Sequence, residues 1–130
     1  MSNPSLREAL LSCIETCSDC AVACENCASA CLSEVDVLQL TRCIRLDLDC
    51  AELCRATAAL LARDSEFSDA MIELCADACE ACAQECDRHE HMEHCADCAH
   101  LCRRCAAKCR GLVGAQLHHI PRDGIEASAH

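Results

Sequence analysis

The sequence predicts an all-α fold, an antiparallel four-helix bundle with a cysteine-lined core, and three observations carry that prediction. A chain of 130 residues is enough for one domain and too short for two separate cores. One aromatic residue, Phe67, three glycines and two prolines argue against the aromatic strands and frequent turns of a sandwich or barrel. The 18 cysteines fall in runs whose steps are three and four residues. Alternating those steps averages about 3.5 residues, the period that keeps side chains on one helical stripe facing partner helices.

The first helix is expected over roughly 4–32. Asn3-Pro4 supplies a cap followed by a proline in the first turn, and the helix carries Cys13, Cys17, Cys20, Cys24, Cys27 and Cys31. Ser33-Glu-Val-Asp36 resembles a capping box that opens the second helix, over roughly 35–63. That helix carries Cys43, Cys50 and Cys54, with Asp47 at the seam position where a cysteine would complete the rhythm. The third, over roughly 66–88 and capped by Asp64 or Ser65, carries Cys75, Cys79, Cys82 and Cys86. Cys86 and Cys95 would lie on opposite faces of one continuous helix at about 100° per residue, so the chain turns between them. The fourth helix, over roughly 92–113, carries Cys95, Cys98, Cys102, Cys105 and Cys109. Gly111, Gly114, Pro121 and Gly124 end it, giving a bundle domain over 1–114 and a loose tail over 115–130.

Short connections let the seams be registered by counting back from the turns. The expected layers run from Cys13 with Cys54, Cys75 and Cys105, through Cys17 with Cys50, Cys79 and Cys102, to a rim of His89 and His91. Leu6, Leu10, Leu61, Phe67, Met71 and Leu112 are expected to plug the opposite end.

Composition narrows the function. Without its cysteines the apolar share falls to about 38%, low for a core, so the cysteines must be inside. A net charge of −11 repels nucleic acid and anionic membrane surfaces. No segment approaches the ~18 apolar residues of a membrane span. The amino-terminal residues lack the basic-then-apolar pattern of a secretory signal, so a cytoplasmic location is expected. Thiols stay reduced there, and this many of them point to metal rather than to disulfides.

Thiolate-only surroundings select copper(I), zinc or iron–sulfur clusters. When copper(I) replaces a thiol proton the cavity gains no net charge, whereas zinc in an isolated four-thiolate site leaves two surplus negative charges in every site. Iron–sulfur motifs combine cysteines in a loop with others elsewhere, unlike these continuous helical seams. If each copper takes two thiolates and each thiolate bridges two coppers, the capacity is about 18 ions. This is storage, with no catalytic residues and no enzymatic activity expected. A zinc-buffering or thiol redox protein is the alternative, and an iron–sulfur carrier comes third. A ferritin-like iron enzyme needs a Glu-x-x-His pair on each of two helices. The nearest match, Asp97-x-x-His100, lies off the inward face set by Cys98 and Cys102.

Around the thiols, His89 and His91 continue the seam and are expected to face the tube opening as imidazole ligands. Met92 and His94 are further candidate ligands. Asp47 is an oxygen ligand, a proton acceptor or a group hydrogen-bonded across the seam, since buried and unpaired it would cost several kcal/mol. His100 is expected to face solvent, and His118, His119 and His130 to lie in the tail. Arg103, Arg104, Lys108 and Arg110 offset the dipole of the last helix.

The repeated Cys-x-x-x-Cys-x-x-Cys over roughly 10–112, together with His89-Glu-His91-Met92-Glu-His94, resembles the copper storage proteins, specifically the branch without an export signal. That resemblance implies a bundle holding many copper(I) ions on its core cysteines, a histidine-rich mouth, and association as a homotetramer. Asp47 departs from the family's cysteine rhythm. Copper is expected to leave by thiolate exchange to a copper chaperone or a small thiol.

Overall fold

In a computed structural model, which describes residues 2–118 and 120–122 and side chains from Leu6 onward, the cysteine seams fold into four helices. These are α1 (Ser2–Leu32), α2 (Thr41–Ala62), α3 (Ser68–Asp87) and α4 (Glu93–Leu112), with a 3-10 turn at Val37–Leu40 before α2. No strand occurs among the described residues. Each helix packs on two others, α1 on α2 and α4, α3 on α2 and α4, which makes an antiparallel four-helix bundle.

All 18 cysteines are buried and free, so the seams form the centre of the core. Beside each seam runs a row of small residues at seven-residue spacing. Ala21 and Ala28 are buried on α1, Ala76 and Ala83 on α3, and Ala99 and Ala106 on α4. On α2 the buried Ala51 is followed by the partly buried Ala58. A methyl group at these positions lets neighbouring helices approach closely enough for thiols to touch across the axis.

The first connection differs from the expected capping box. Residues 33–36 form turns, with the Ser33 and Glu34 N–H groups donating to the Ala30 and Cys31 carbonyls at 3.1 Å each, and Asp36 makes no side-chain cap. The second helix therefore starts at Thr41 rather than near 35. This longer connection shifts α1 by one seam position against α4 and α2. Cys13 meets Cys109 rather than Cys105, and Cys17 meets Cys105. Between α2 and α3 the expected register holds: Cys54 meets Cys75, Cys50 meets Cys79, and Cys43 meets Cys86.

At the α2–α3 turn Asp64 adopts a left-handed φ of 56°, which a short polar side chain tolerates. The Phe67 N–H donates to Ser65 Oγ at 3.0 Å, and the Ser68 hydroxyl donates to the Leu60 carbonyl at 3.3 Å. Phe67 stands at the start of α3, 66% exposed, and so does not plug the tube. Leu10, Leu61, Ile72 and Leu112 close that end instead, joined by Leu117 from beyond the last helix.

The segment after α4 was expected to be loose, yet its described part packs against the bundle. Gly114, at φ +82°, turns the chain, Leu117 is buried, and Arg122 donates to the Leu61 and Leu117 carbonyls at 3.0 and 3.1 Å. Asp64 lies 3.3 Å from both Arg122 and His118. His119, Gly124 and His130 lie outside the described residues. On the surface, Arg55 reaches Glu25 at 2.9 Å across α1 and α2, while Arg110 and Arg103 reach Glu80 and Asp87 across α3 and α4. Such exposed pairs contribute about 0–1 kcal/mol each.

Candidate metal centre

A seam residue points inward once per helical turn, so four antiparallel seams stack their thiols into one column. The Sγ atoms of neighbouring helices lie 3.5–3.9 Å apart along it, from Cys13 and Cys109 (3.9 Å) through Cys17 and Cys105 (3.5 Å) and Cys20 and Cys102 (3.7 Å) to Cys27 and Cys95 (3.8 Å). Several groups of four converge with all ligand atoms within 4.8 Å of one another. Cys17, Cys75, Cys105 and Cys109 form one, Cys20, Cys50, Cys54 and Cys79 another, and Cys24, Cys82, Cys98 and Cys102 a third. Nearest the upper end, Cys27, Cys31, Cys43 and Cys95 converge likewise. Cys20, Cys24, Cys50 and Cys102 form a further group that joins the second and third, and Cys54 meets Cys105 of the first at 3.8 Å, so these sets run together below Asp47.

Burial acts on the thiols at the upper end. It pushes the Cys31 thiol up to about 11. Burial also raises Cys95. The desolvated thiolate is penalised, so these cysteines are neutral at pH 7 and pack as small hydrophobes.

Asp47 interrupts the sulfur with a fully buried carboxyl group. Cys82 and Cys98 donate to its Oδ1 at 3.1 and 3.3 Å, Cys86 at 3.7 Å, and Cys43 reaches Oδ2 at 3.9 Å. Burial, the largest cause, pushes its carboxyl up to about 8, against hydrogen bonds from Cys82 and Cys27 that favour the anion.

At the upper end the histidines separate. His94 Nδ1 lies 3.5, 3.7 and 3.9 Å from the sulfurs of Cys95, Cys27 and Cys31, while its Nε2 lies 3.0 Å from Glu34. His89, expected over the opening, has its Nε2 3.1 Å from Glu85, a buried carboxylate also approached by Arg42 and Arg88. His91 is exposed on the turn, and Met92 is partly buried against the core at the start of α4. His100 is exposed. Of the four candidates near this end, His94 is brought to the thiols. The helix ends at Asp87, so extending the phase of Cys86 to His89 and His91 does not describe their directions. Sequence reasoning missed Glu34 as the partner of His94, although its place three residues after Cys31 was a usable signal.

Chemically, the column offers soft ligands in bridging geometry, one imidazole nitrogen at the upper end and one oxygen group midway. Among the described residues no lysine or arginine is buried to offset surplus negative charge.

A family model described as copper storage protein matches residues 6–114. A cysteine-rich protein of Bacillus subtilis, YhjQ, described as uncharacterized, is 45% identical over 102 residues, covering 78% of this chain and 94% of its own. A structure of a cytosolic copper storage protein from Streptomyces lividans, loaded with five coppers, is 48% identical with a TM-score of 0.82, covering 86% of this chain and 98% of that chain. A metal-free copper storage protein 3 from Bacillus subtilis is 43% identical with a TM-score of 0.74, covering 79% of this chain and 97% of that one.

Proposed function

Because the chain belongs to the copper storage protein family, we propose that it takes up copper(I) as cargo and stores many ions on its core cysteines. The observation that carries this reading is the core of 18 buried, free thiols, with sulfurs at bridging distance on both sides of the interruption at Asp47. Each copper displaces thiol protons and is held between two thiolates that bridge onward to the next ions. The interior gains no net charge, so filling continues without the several kcal/mol per ion that burying net charge costs. A ladder of separate zinc sites would accumulate negative charge with no buried cation among the described residues to balance it.

In this reading His94 receives the ion at the upper end and passes it to Cys27, Cys31 and Cys95, and successive thiolate exchange carries it downward. Asp47 supplies an oxygen beside Cys82 and Cys98. Storage needs no catalytic step. We place the store in the cytosol, as a homotetramer that returns copper to a chaperone or small thiol. In support, the Streptomyces relative is described as cytosolic, and among the described residues no helix is long and apolar enough to cross a membrane.

Anaerobic titration of the reduced protein with copper(I) against a chromophoric competitor, with native mass spectrometry, tests the reading. Capacity is expected to approach one copper per cysteine, about 18. Saturation at four or five ions, or tighter retention of zinc in competition, would replace it with zinc buffering or thiol redox chemistry.

A further inference from the structure

We propose that Glu34, in the turn between α1 and α2, is the positioning residue of the mouth, holding His94 in the one tautomer that can hand copper to the thiols. The inference rests on the storage reading and adds a residue from a different part of the chain. The His94 ring bridges two chemically opposite partners. Its Nε2 lies 3.0 Å from a Glu34 carboxylate oxygen, and its Nδ1 lies within 3.9 Å of three sulfurs. A neutral imidazole carries one N–H, and an ionised carboxylate only accepts, so the pair puts the hydrogen on Nε2 and leaves the Nδ1 lone pair toward Cys95, Cys27 and Cys31. In the other tautomer the Nδ1–H would point at the sulfurs and no lone pair would meet an incoming cation. Such a carboxylate behind a metal-binding imidazole fixes both the tautomer and the ring orientation.

The arrangement is anchored from both sides. The Glu34 N–H donates to the Cys31 carbonyl at 3.1 Å, so the turn that carries the carboxylate is tied to the last thiol of α1. The ring sits one residue before Cys95, the first thiol of α4. The His94 side chain is only 16% exposed, which leaves little room for it to turn away. Glu85, the buried acid nearby in sequence to the third seam, is occupied by Arg42, Arg88 and His89. Glu90 and Glu93 are exposed.

The test uses the reduced, metal-free full chain labelled with 15N-histidine. Side-chain nitrogen shifts should report His94 with its hydrogen on Nε2. In Glu34→Ala that preference should be lost, and copper(I) loading from a chromophoric donor should slow about tenfold with capacity unchanged. Glu34→Gln, whose amide oxygen accepts the same bond, should restore both tautomer and rate. Glu90→Gln removes the same charge at the same end and should load as the wild type. Wild-type tautomer and rate in Glu34→Ala, with slow loading in His94→Ala, overturn the role of Glu34 alone. Equal slowing by Glu34→Gln and Glu34→Ala also overturns it, since simple attraction for a cation would then account for the effect. Wild-type loading by His94→Ala overturns both this proposal and the assignment of His94, while a full complement of copper would leave storage standing.

Discussion

A carboxyl group sealed among sulfhydryls makes the metal-free protein sensitive to pH below the range in which ordinary thiols ionise. Asp47 is raised by burial to about 8, whereas in an unfolded chain it titrates near ~3.9. Between those values the unfolded state has released a proton that the folded state retains. The stability linked to Asp47 is therefore fully present below about 4 and is lost as pH rises toward about 8. Urea unfolding of the reduced metal-free protein at pH 5 and pH 8 should show a smaller loss at the higher pH in Asp47→Asn than in the wild type. Equal losses in the two proteins would mean that the carboxyl group is paired more strongly than its hydrogen bonds suggest. At this scale the sequence was a good guide wherever helical phase applied, which is why every seam cysteine and Asp47 point inward. His89 lies beyond Asp87, where the chain leaves the helix and phase no longer predicts direction, and its imidazole meets Glu85. His94, inside α4, lies about 100° round the helix from Cys95 and so off the seam, yet its ring reaches the thiols.

Helices carrying thiols can place sulfurs 3.5–3.9 Å apart only if their backbones approach closely, and the alanine rows permit this. Ala99, 2% exposed on α4, is one such contact. Ala99→Leu inserts methylene groups into a packed interface and should lower stability by about 1–3 kcal/mol, seen as an earlier denaturant midpoint of the metal-free protein. An unchanged midpoint would show that the helices are spaced widely enough to absorb the larger side chain. The seven-residue alanine spacing was present in the sequence but is masked there by the stronger cysteine signal. The α1 register was not readable by counting, because a 3-10 turn at Val37–Leu40 occupies chain that resembled the beginning of a helix. Where connections matched expectation, as between α2 and α3, counting gave the right partners.

For the whole molecule, buried cysteines, alanines and leucines already make a packed core before any metal arrives. The reduced metal-free protein is expected to show a strongly helical far-ultraviolet circular dichroism spectrum, changing little on copper addition. A coil-like spectrum that becomes helical only with metal would mean that copper drives folding, as in small metal-nucleated domains. The four-helix architecture was legible because four seams and three turns leave few other arrangements. The closed end was less so, since Leu117 and Arg122 follow the glycines that were read as the end of structure. That closure has a consequence for the order of traffic. A shaft with one opening behaves as a stack, so the ions deposited first lie deepest and are the last to be withdrawn. Filling the protein partly with one copper isotope, completing it with another, and drawing off a fraction with a competitor should return mainly the second isotope. A return at the mixed ratio would mean that ions change places along the shaft faster than they leave it.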